Sequence, residues 1–433
     1  MSPIATVRRL LQGALSPSTR SPSGRPRRAV GLAVLGFGLV ASSAMAATVK
    51  SAGAMTFIDA DTLVVADWRG GQLHAITLPA VPAGAPGYFN LRNVSASIAR
   101  ALRVDERRLR FEDMAVRPGS ETAYITLSMG QGAGTPKPAL VAVDTSGQVR
   151  VVDLARAPHV SVPLGQIPGP DKHLWRDTPM AAYTVTDMAY RDGKLYVAGL
   201  SNASFASALR VFDYPFKAEA AVASIEMYHP VHNQIETRAP IRKMVIADLN
   251  GVPTLVAAFT CSPLVTIPLK DLKDGAHIAA KTIAEFGWGS APVGMVQFDA
   301  GQGPMVLLTH SHKSADLMAV TDIADASTQP GVTTPIKWPT EPTLGLKSIY
   351  VPLAGVAKLD NQDANLLAAL RRNEATGAME LVSMRKGLLL RLSDFVNEYD
   401  FADFRYEPKD AWRDAHRMLR TDEGYADLAP PKP

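Results

Sequence analysis

Side chains that could bind a metal ion are concentrated in one short stretch of this sequence, residues 228–238. Two imidazoles, a carboxylate and a guanidinium fall within these eleven residues: His229, His232, Glu236 and Arg238. A later loop adds His310 and His312. Because imidazole and carboxylate groups bind many divalent metals, the pattern predicts a metal site. Its ligands would be His229, His232, His310 and His312, with Glu236 nearby, although their spacing matches no specific metal motif.

A structural interpretation of the same residues stays open. Loop histidines often bond to buried backbone groups, and Glu236 and Arg238 could form structural ion pairs. Cys261, within Thr-Cys-Ser, could act as a thiol nucleophile if a base lies nearby. A small buried hydrophobe is the other interpretation of this cysteine, and the sequence favours it.

The cysteine content excludes several kinds of site. Cys261 is the single cysteine in 433 residues, so an intramolecular disulfide and a c-type haem site are excluded. Cysteine-rich zinc and iron–sulfur sites are excluded for the same reason. The Walker phosphate loop, G-x-S-x-G and H-E-x-x-H are all absent from the sequence. Chemistry at this site would therefore have to come from loop residues without a known motif.

The N-terminal segment has the features of an export signal. Six arginines and no acidic residue precede an apolar run over 29–40, and Ala44-Met45-Ala46 follows as a small-x-small cleavage site. We expect residues 1–46 to be a signal peptide and the mature chain to be periplasmic or secreted, with no stable membrane anchor after cleavage. The alternative, a membrane anchor, fits less well because the apolar run is short.

Removal of this segment changes the charge balance of the chain. The whole sequence has 45 Lys and Arg against 41 Asp and Glu, a net charge of +4. The mature chain would lose six arginines and carry a net charge of −2. Because no global basic excess remains, we expect no nucleic-acid partner. A protein or a small molecule is the expected partner.

Six copies of a three-strand pattern follow the N-terminal segment. The first strands share an early Met, Val or Ala and end at Asp or Pro: GAMTFID (53–59), DMAVRP (113–118), DMAYRD (187–192), KMVIAD (243–248), GMVQFD (294–299) and GVAKLD (355–360). A second and a third apolar strand follow each of them, and the unit recurs every 50–75 residues. This spacing is typical of four-stranded antiparallel blades with loop insertions.

The repeat predicts an all-β fold, a β-propeller of four-stranded meanders with six blades, or seven if one copy is degenerate. A propeller is favoured over an open sandwich or two β-domains because it leaves short edges. We expect the propeller domain to span 47–392, with a helical insertion over 93–103 and a C-terminal tail over 393–433. Fourth strands are expected at 148–154, 223–228 and 279–284, and 387–392 could be the last.

A propeller brings certain loops to one face. Loops after each second strand and the connections between blades emerge on the same side, and binding residues concentrate in such loops. Six of the nine histidines fall in these segments, as do Asp67, Trp68 and Arg69. These three join the histidines, Glu236 and Arg238 as candidate ligand-binding residues. Trp175 and Trp288 could add an aromatic wall for a sugar or a quinone.

The blade strings, chiefly DMAYRDGKLYVAGLS and FIDADTLVVADWRGGQLHAITLP, resemble secreted bacterial β-propellers of the YVTN and NHL-like type. That family groups binding proteins, scaffolds and some enzymes, so the resemblance implies a fold without a catalytic residue set. We therefore expect an exported propeller that binds a partner or small ligand through its loops. The alternative is a metal-dependent hydrolase or oxidoreductase with a His/Glu site at the channel mouth, for which a divalent metal would be the cofactor.

Overall fold

The structure is a computed structural model of the chain. It describes residues 48–81, 87–130, 135–217, 219–353 and 355–396, parts of 398–405, and 407–424. The expected signal peptide, residues 1–46, therefore lies outside the described residues, as does most of the aromatic run at 399–404. No helix among the described residues is long and apolar enough to cross a membrane.

The chain is an all-β protein whose sheets are arranged as in a propeller. Four of the five main sheets have four strands each. The first contains β1 (Met55–Phe57), β2 (Thr62–Asp67), β3 (Gln72–Thr77) and β9 (His159–Pro163), and the second β5 (Leu109–Val116), β6 (Thr122–Met129), β7 (Lys137–Asp144) and β8 (Val149–Val152). The fourth contains β21 (Pro292–Asp299), β22 (Pro304–His310), β23 (Ala315–Ala319) and β25 (Ile349–Val351), and the fifth β26 (Val356–Asn361), β27 (Leu366–Arg372), β28 (Met379–Arg385) and β4 (Asn90–Leu91).

The third sheet is larger and consists of two meanders joined edge to edge. One is β12 (Asp187–Arg191), β13 (Lys194–Leu200), β14 (Ser207–Asp213) and β15 (Ala221–His229); the other is β17 (Lys243–Leu249), β18 (Val252–Ala258), β19 (Pro263–Pro268) and β20 (His277–Glu285). The outer strands β15 and β20 pair in parallel. Short strands β16 (Gln234–Glu236) and β24 (Leu344–Gly345) extend this sheet, and β10 (His173–Leu174) pairs separately with β11 (Thr178–Pro179).

Tight turns define the meanders. Between β12 and β13, Asp192 and Gly193 have φ values of 50° and 76°, and Arg191 lies opposite Lys194. Asn250 and Gly251 repeat this geometry between β17 and β18. Two consecutive positive φ values are the signature of a two-residue hairpin turn, which Asp-Gly and Asn-Gly favour because they tolerate the left-handed region.

The outer strands differ in part from expectation. Strands at 149–152, 221–229 and 277–285 lie where fourth strands are expected, but 387–392 forms turns and no strand. The fifth sheet takes its fourth strand from Asn90–Leu91, which pairs with β28. A turn at Arg385–Leu389, with Leu389 at φ 55°, directs the chain away from the sheet edge before another strand can form.

The first strands of the sheets surround a cavity of about 400 Å³, named here the central cavity. It is lined by residues of β1, β5, β12, β17, β21 and β26. Aspartates link neighbouring inner strands: Asp113 accepts from Met55 N at 3.0 Å, and Asp187 accepts from Met244 N at 2.8 Å. The first bond joins the first and second sheets, and the second bond joins the two meanders of the third sheet.

Apolar faces of adjacent sheets form the cores. Val64 of the first sheet packs in one cluster with Val197 of the third, and Ile125 of the second packs with Leu370 of the fifth. These side chains are fully buried, and each contributes about 2 kcal/mol through removal from water. The sheets are therefore held together mainly by face-to-face packing.

In the part of the chain that the structure describes, three α-helices lie outside the sheets: α1 (Val94–Leu102), α2 (Val320–Thr328) and α3 (Lys409–Arg417). Helix α1 falls within the expected helical insertion, and the side chain of Asn93 caps it by accepting from Ala96 N at 2.9 Å. In the tail, the Glu423 carboxylate accepts from the backbone of Leu392 and Ser393. The end of the described tail is thus bonded to the segment that follows the fifth sheet.

Candidate functional site

A short hairpin at the end of β15 brings three of the predicted site residues together. His229 is the last residue of β15, and β16 pairs back so that Glu236 lies opposite Met227. His232 lies in the connecting turn and donates its backbone N–H to His229 O at 3.2 Å. Asn233 closes the turn at φ 50°, a conformation that asparagine tolerates better than most residues. Local hairpin geometry therefore places both imidazoles beside one carboxylate.

Cys261 reaches the same place from the turn between β18 and β19. Its backbone N–H donates to Ser290 O at 2.8 Å, and its φ is 65°. The next residue, Ser262, has φ 76°. Left-handed backbone at a residue other than glycine or asparagine costs about 1–2 kcal/mol, and such strain occurs disproportionately at functional sites.

These residues form a compact group, named here the His–Cys cluster and consisting of His229, His232 and Cys261. Each offers one ligand atom, and the three atoms lie within 4.8 Å of one another. The two imidazole rings are 4.1 Å apart between centroids. Glu236 Oε1 lies 3.0 Å from His229 Nδ1 and 2.5 Å from His232 Nδ1. Glu285 Oε2 lies on the other side of His229, 3.9 Å from Nε2.

His229 is buried with unsatisfied polar atoms. Its ring is 2% exposed, yet neither nitrogen makes a hydrogen bond of acceptable geometry within the described residues. The Glu236 oxygen is close to Nδ1 but lies off the direction that a hydrogen bond requires. Glu285 is fully buried, and its Oε2 also has no hydrogen-bond partner among the described atoms. An unsatisfied buried polar atom costs about 1–3 kcal/mol, so these atoms point to a missing ligand.

The electrostatics of the cluster are strongly coupled. Burial lowers the pKa of His229, but the neighbouring Cys261 sulfur and the Glu236 carboxylate raise it to about 9. Burial raises the pKa of Glu236, and the two histidines lower it to about 2. The neighbouring His229 imidazole lowers the pKa of Cys261, which favours the thiolate. Burial raises the pKa of Glu285 to about 7.

The donor set of the cluster suits a metal ion of intermediate softness. Two imidazole nitrogens and one thiolate are ligands for copper and zinc, and three protein ligands leave a position open, as in catalytic sites. Cys261 comes from a turn and Glu285 from the end of β20, and neither was expected as a ligand. A Thr-Cys-Ser turn in a loop after a second strand is the signal for Cys261. Glu285 ends an outer strand without a distinguishing pattern.

The predicted four-histidine metal set is not brought together. Within the described residues, the group of metal-ligand atoms contains His229 and His232 but neither His310 nor His312. His310 is buried and bonds through Nε2 to Asp316 at 2.8 Å, whereas His312 is exposed and contacts Ser311. The prediction groups the four histidines because loops after second strands and connections between blades are expected on one face, but His310 is the buried last residue of β22 and bonds to Asp316 instead.

His310 belongs to a buried Ser–His–Asp chain, with Ser262 Oγ 3.4 Å from Nδ1 and Asp316 on Nε2. A similar chain occurs in the first sheet, where His74 contacts Ser161 at 2.8 Å and Asp67 at 3.4 Å. In each chain a buried His–Asp pair joins the second strand to the third: His310 ends β22 and Asp316 lies in β23, whereas Asp67 ends β2 and His74 lies in β3. Because the histidine and the aspartate are buried in both chains, they act as structural links between the second and third strands of these sheets.

The remaining predicted residues are placed apart from the cluster. Asp67 is buried, and it accepts from Ser51 N at 2.8 Å and from Gly70 N at 2.8 Å. This carboxylate fixes the loop that carries Trp68 and Arg69, which line a separate cavity. Arg238 is exposed beyond β16.

Two tryptophans stand beside the His–Cys cluster. Trp288 and Trp338 are 53% and 62% exposed, and their rings meet at 88° with centroids 5.3 Å apart. They border a cavity of about 530 Å³ that Tyr350 also lines; this place is named here the aromatic corner. Ser290, which bonds to Cys261, follows Trp288 by two residues, and Ile336 N donates to Pro230 O at 3.3 Å. The aromatic corner is therefore carried by segments that contact residues of, or next to, the cluster.

Comparison with known proteins finds matches to solved structures alone, since no family model and no curated protein matches the chain. A glucose dehydrogenase is 11% identical, with 78% of this chain and 97% of that chain covered, at a TM-score of 0.33. The soluble aldose sugar dehydrogenase of Escherichia coli is 11% identical, with 78% and 96% covered, at 0.32. Raptor of Chaetomium thermophilum is also 11% identical at 0.33, but the match spans 78% of this chain and just 28% of Raptor.

These matches correct one expectation. The main prediction, a propeller that acts as a binding or scaffold protein, is contradicted, because sugar dehydrogenases, which are oxidoreductases, recur among the matched structures. The findings agree better with the alternative prediction, which included an oxidoreductase. With identities near 11% and TM-scores near 0.3, the activity of this chain has to be argued from its own residues.

Proposed function

We propose that this chain is a metal-dependent oxidoreductase that binds its metal ion at the His–Cys cluster. The observation that carries the proposal is the buried ring of His229, both of whose nitrogens lack a hydrogen-bond partner among the described residues. A second imidazole and a cysteine sulfur lie within 4.8 Å of this ring. A metal ion would satisfy a nitrogen that the surrounding protein leaves unsatisfied.

Copper is the metal that this donor set favours for redox chemistry. Two histidines and one cysteine are the ligands of mononuclear copper sites, where copper exchanges single electrons. The chain's own residues would hold the site rigid, because His229 is buried at the end of β15 and Cys261 is fixed by its bond to Ser290. Glu236 contacts both imidazoles, and it would orient them toward the ion.

The aromatic corner suggests the class of electron donor. The rings of Trp288 and Trp338 lie at right angles to each other. A planar aromatic ring bound beside them could pack against the face of one tryptophan and the edge of the other. We assign this place to a hydroquinone-type donor. Oxidation of one hydroquinone to a quinone releases two protons to solvent and two electrons, which pass singly to two equivalents of a one-electron acceptor.

The test measures metal binding and activity on the same preparations. The purified chain from residue 47 onward should bind one copper ion, with a visible thiolate-to-copper absorption, and should oxidise hydroquinone with ferricyanide as acceptor. Cys261→Ser should remove the absorption, and His232→Ala should lower the affinity at least about 10-fold. The control His173→Ala changes an exposed histidine in β10 and should match the parent. Absence of stoichiometric copper, or unchanged binding in His232→Ala, would refute the proposal.

A zinc-dependent hydrolase is the second candidate, and the position of Glu285 favours it. A buried carboxyl group beside a metal with an open position is suited to accept a proton from metal-bound water. The same preparations separate the candidates. Stoichiometric zinc with ester hydrolysis and no hydroquinone oxidation would favour the hydrolase.

We also propose six blades and export from the cytoplasm, as in secreted propellers of the YVTN and NHL-like type. The six inner strands around the central cavity support the count if the third sheet is divided into its two meanders at the β15–β20 pairing. The arginine-rich segment and Ala44-Met45-Ala46 support export to the periplasm or the medium. N-terminal sequencing of the protein recovered outside the cytoplasm should begin at Ala47; an N-terminus at Met1 in that fraction would contradict cleavage.

A further inference from the structure

A second cavity, named here the upper cavity, has a volume of about 670 Å³. Its lining includes the segment 51–54 before β1, the loop after β2, the start of β5, the end of β6, the segment 177–186 before β12, and the residue before β17. Lys358 and Asp113 line both this cavity and the central cavity. The upper cavity therefore lies at one end of the central cavity, and its lining does not include the His–Cys cluster.

One wall of the upper cavity presents Arg69. Its guanidinium stacks over the ring of Trp68, with the central carbon 4.5 Å from the ring centroid. The backbone N–H of Arg69 donates to Ser51 Oγ at 3.1 Å, and buried Asp67 holds the same loop. Stacking on an aromatic ring restricts an arginine without neutralising its charge. Arg69 is therefore positioned in advance of any ligand.

Arg242 lines the same cavity and repeats the arrangement. Its guanidinium lies 5.6 Å from the centroid of the Tyr183 ring. Its backbone N–H bonds to Ala258 O at 2.8 Å, next to the start of β17. The Nε atom is buried and has no hydrogen-bond partner in the described part of the chain. This guanidinium has therefore lost water on one side without gaining a protein acceptor.

The other two cationic side chains that line the upper cavity each have an acidic partner. Arg110 bonds to Glu112 at 2.8 Å, and Lys358 lies 3.5 Å from Asp113. Among the described residues, no carboxylate lies within 4.0 Å of the Arg69 or Arg242 guanidinium. Asp177 also lines the cavity, but its carboxylate is farther than this from both guanidinium groups. Two stacked guanidinium groups thus remain without a counter-ion in one concave space.

We propose that the upper cavity binds a small organic dianion with two carboxylate groups, one bonded to Arg69 and the other to Arg242. Arginine matches a carboxylate with two parallel hydrogen bonds, which is why two unpaired guanidinium groups select a dicarboxylate over a monoanion. The buried Nε of Arg242 supplies one donor of such a pair. The upper cavity shares no lining residue with the His–Cys cluster.

The test uses the metal-free full chain and calorimetric titration with succinate, adipate and suberate. One of these lengths should bind best, because the two guanidinium groups are fixed on their aromatic rings. Arg69→Gln and Arg242→Gln should each weaken that affinity about 10-fold or more, which corresponds to about 1.4 kcal/mol. The double variant should show no saturable binding, and higher salt should weaken binding by the parent.

Two controls make the result decisive. Arg156→Gln removes an arginine whose side chain is 88% exposed and lies outside the cavity lining, and it should bind as the parent does. Adipamide, the neutral analogue of adipate, should not bind. The proposal is overturned if none of the diacids binds the folded parent, if sulfate binds as tightly as the best diacid, or if the two cavity variants bind as the parent does.

Discussion

The left-handed backbone at Cys261 leads to a prediction about stability that does not depend on activity. Replacing Cys261 with glycine or with alanine removes the same thiol. The difference in unfolding free energy between the two variants therefore reports the cost of the left-handed backbone at this position. With φ at 65°, alanine keeps a conformational cost of about 1–2 kcal/mol. Glycine avoids that cost but loses about 0.5–1 kcal/mol more backbone entropy on folding. We therefore expect the glycine variant to be more stable than the alanine variant by about 0.5–1 kcal/mol.

The measurement is urea unfolding of both variants in the presence of a chelator, with the midpoints compared at a common slope. Ala279, an exposed residue within β20, supplies the control. There the order should reverse, because glycine in ordinary strand backbone is less stable than alanine by about 0.5–1 kcal/mol. Equal stability of the two Cys261 variants, or greater stability of alanine, would refute the idea that this turn is strained.

Three further predictions concern buried polar groups and one close approach. Burial raises the pKa of Asp360 to about 6, so ionisation of this carboxyl group destabilises the fold as pH rises through about 6. In denaturant unfolding measured across pH, Asp360→Asn should therefore stabilise the chain by about 1–2 kcal/mol at pH 8. The same variant should have little effect on stability below about pH 3.8. Arg210 is fully buried and donates to four backbone carbonyls. In the same assay, Arg210→Met should lower the free energy of unfolding by about 3 kcal/mol, because those carbonyls lose their hydrogen-bond donors. At Gly199 a Cβ atom would lie 2.0 Å from Thr184 O, so Gly199→Ala should lower the unfolding midpoint, with a loss of more than about 1 kcal/mol.

Much of the fold follows from local sequence rules. Asp192-Gly193 and Asn250-Gly251 specify two-residue turns, and the strands on either side have the expected register. The fourth strand of the fifth sheet could not be predicted in this way. Asn90–Leu91 has two residues and therefore no periodicity. Its place is set by long-range pairing with β28 and by the bond from Phe89 N to Ser383 Oγ.

In the candidate site, too, contacts between residues close in sequence could be predicted, whereas contacts made by tertiary folding could not. His229, His232 and Glu236 are close in sequence, and one hairpin brings them together as their spacing suggests. Cys261 joins them from another meander through the parallel pairing of β15 with β20, which no sequence pattern indicates. His310 illustrates the reverse case, because its bond to Asp316 turns a predicted ligand into part of a buried structural network.

The path of the chain between sheets has a consequence for synthesis on the ribosome. After β3 the chain contributes β4 to the fifth sheet, builds the second sheet, and then returns with β9 to complete the first sheet. The first sheet therefore cannot be completed until about residue 163 has emerged, and the partner of β4 is made more than 280 residues after it. Such long-range pairing slows folding. The nascent chain would hold an unpaired strand edge until nearly the whole protein is released, so it depends on protection from aggregation during that interval.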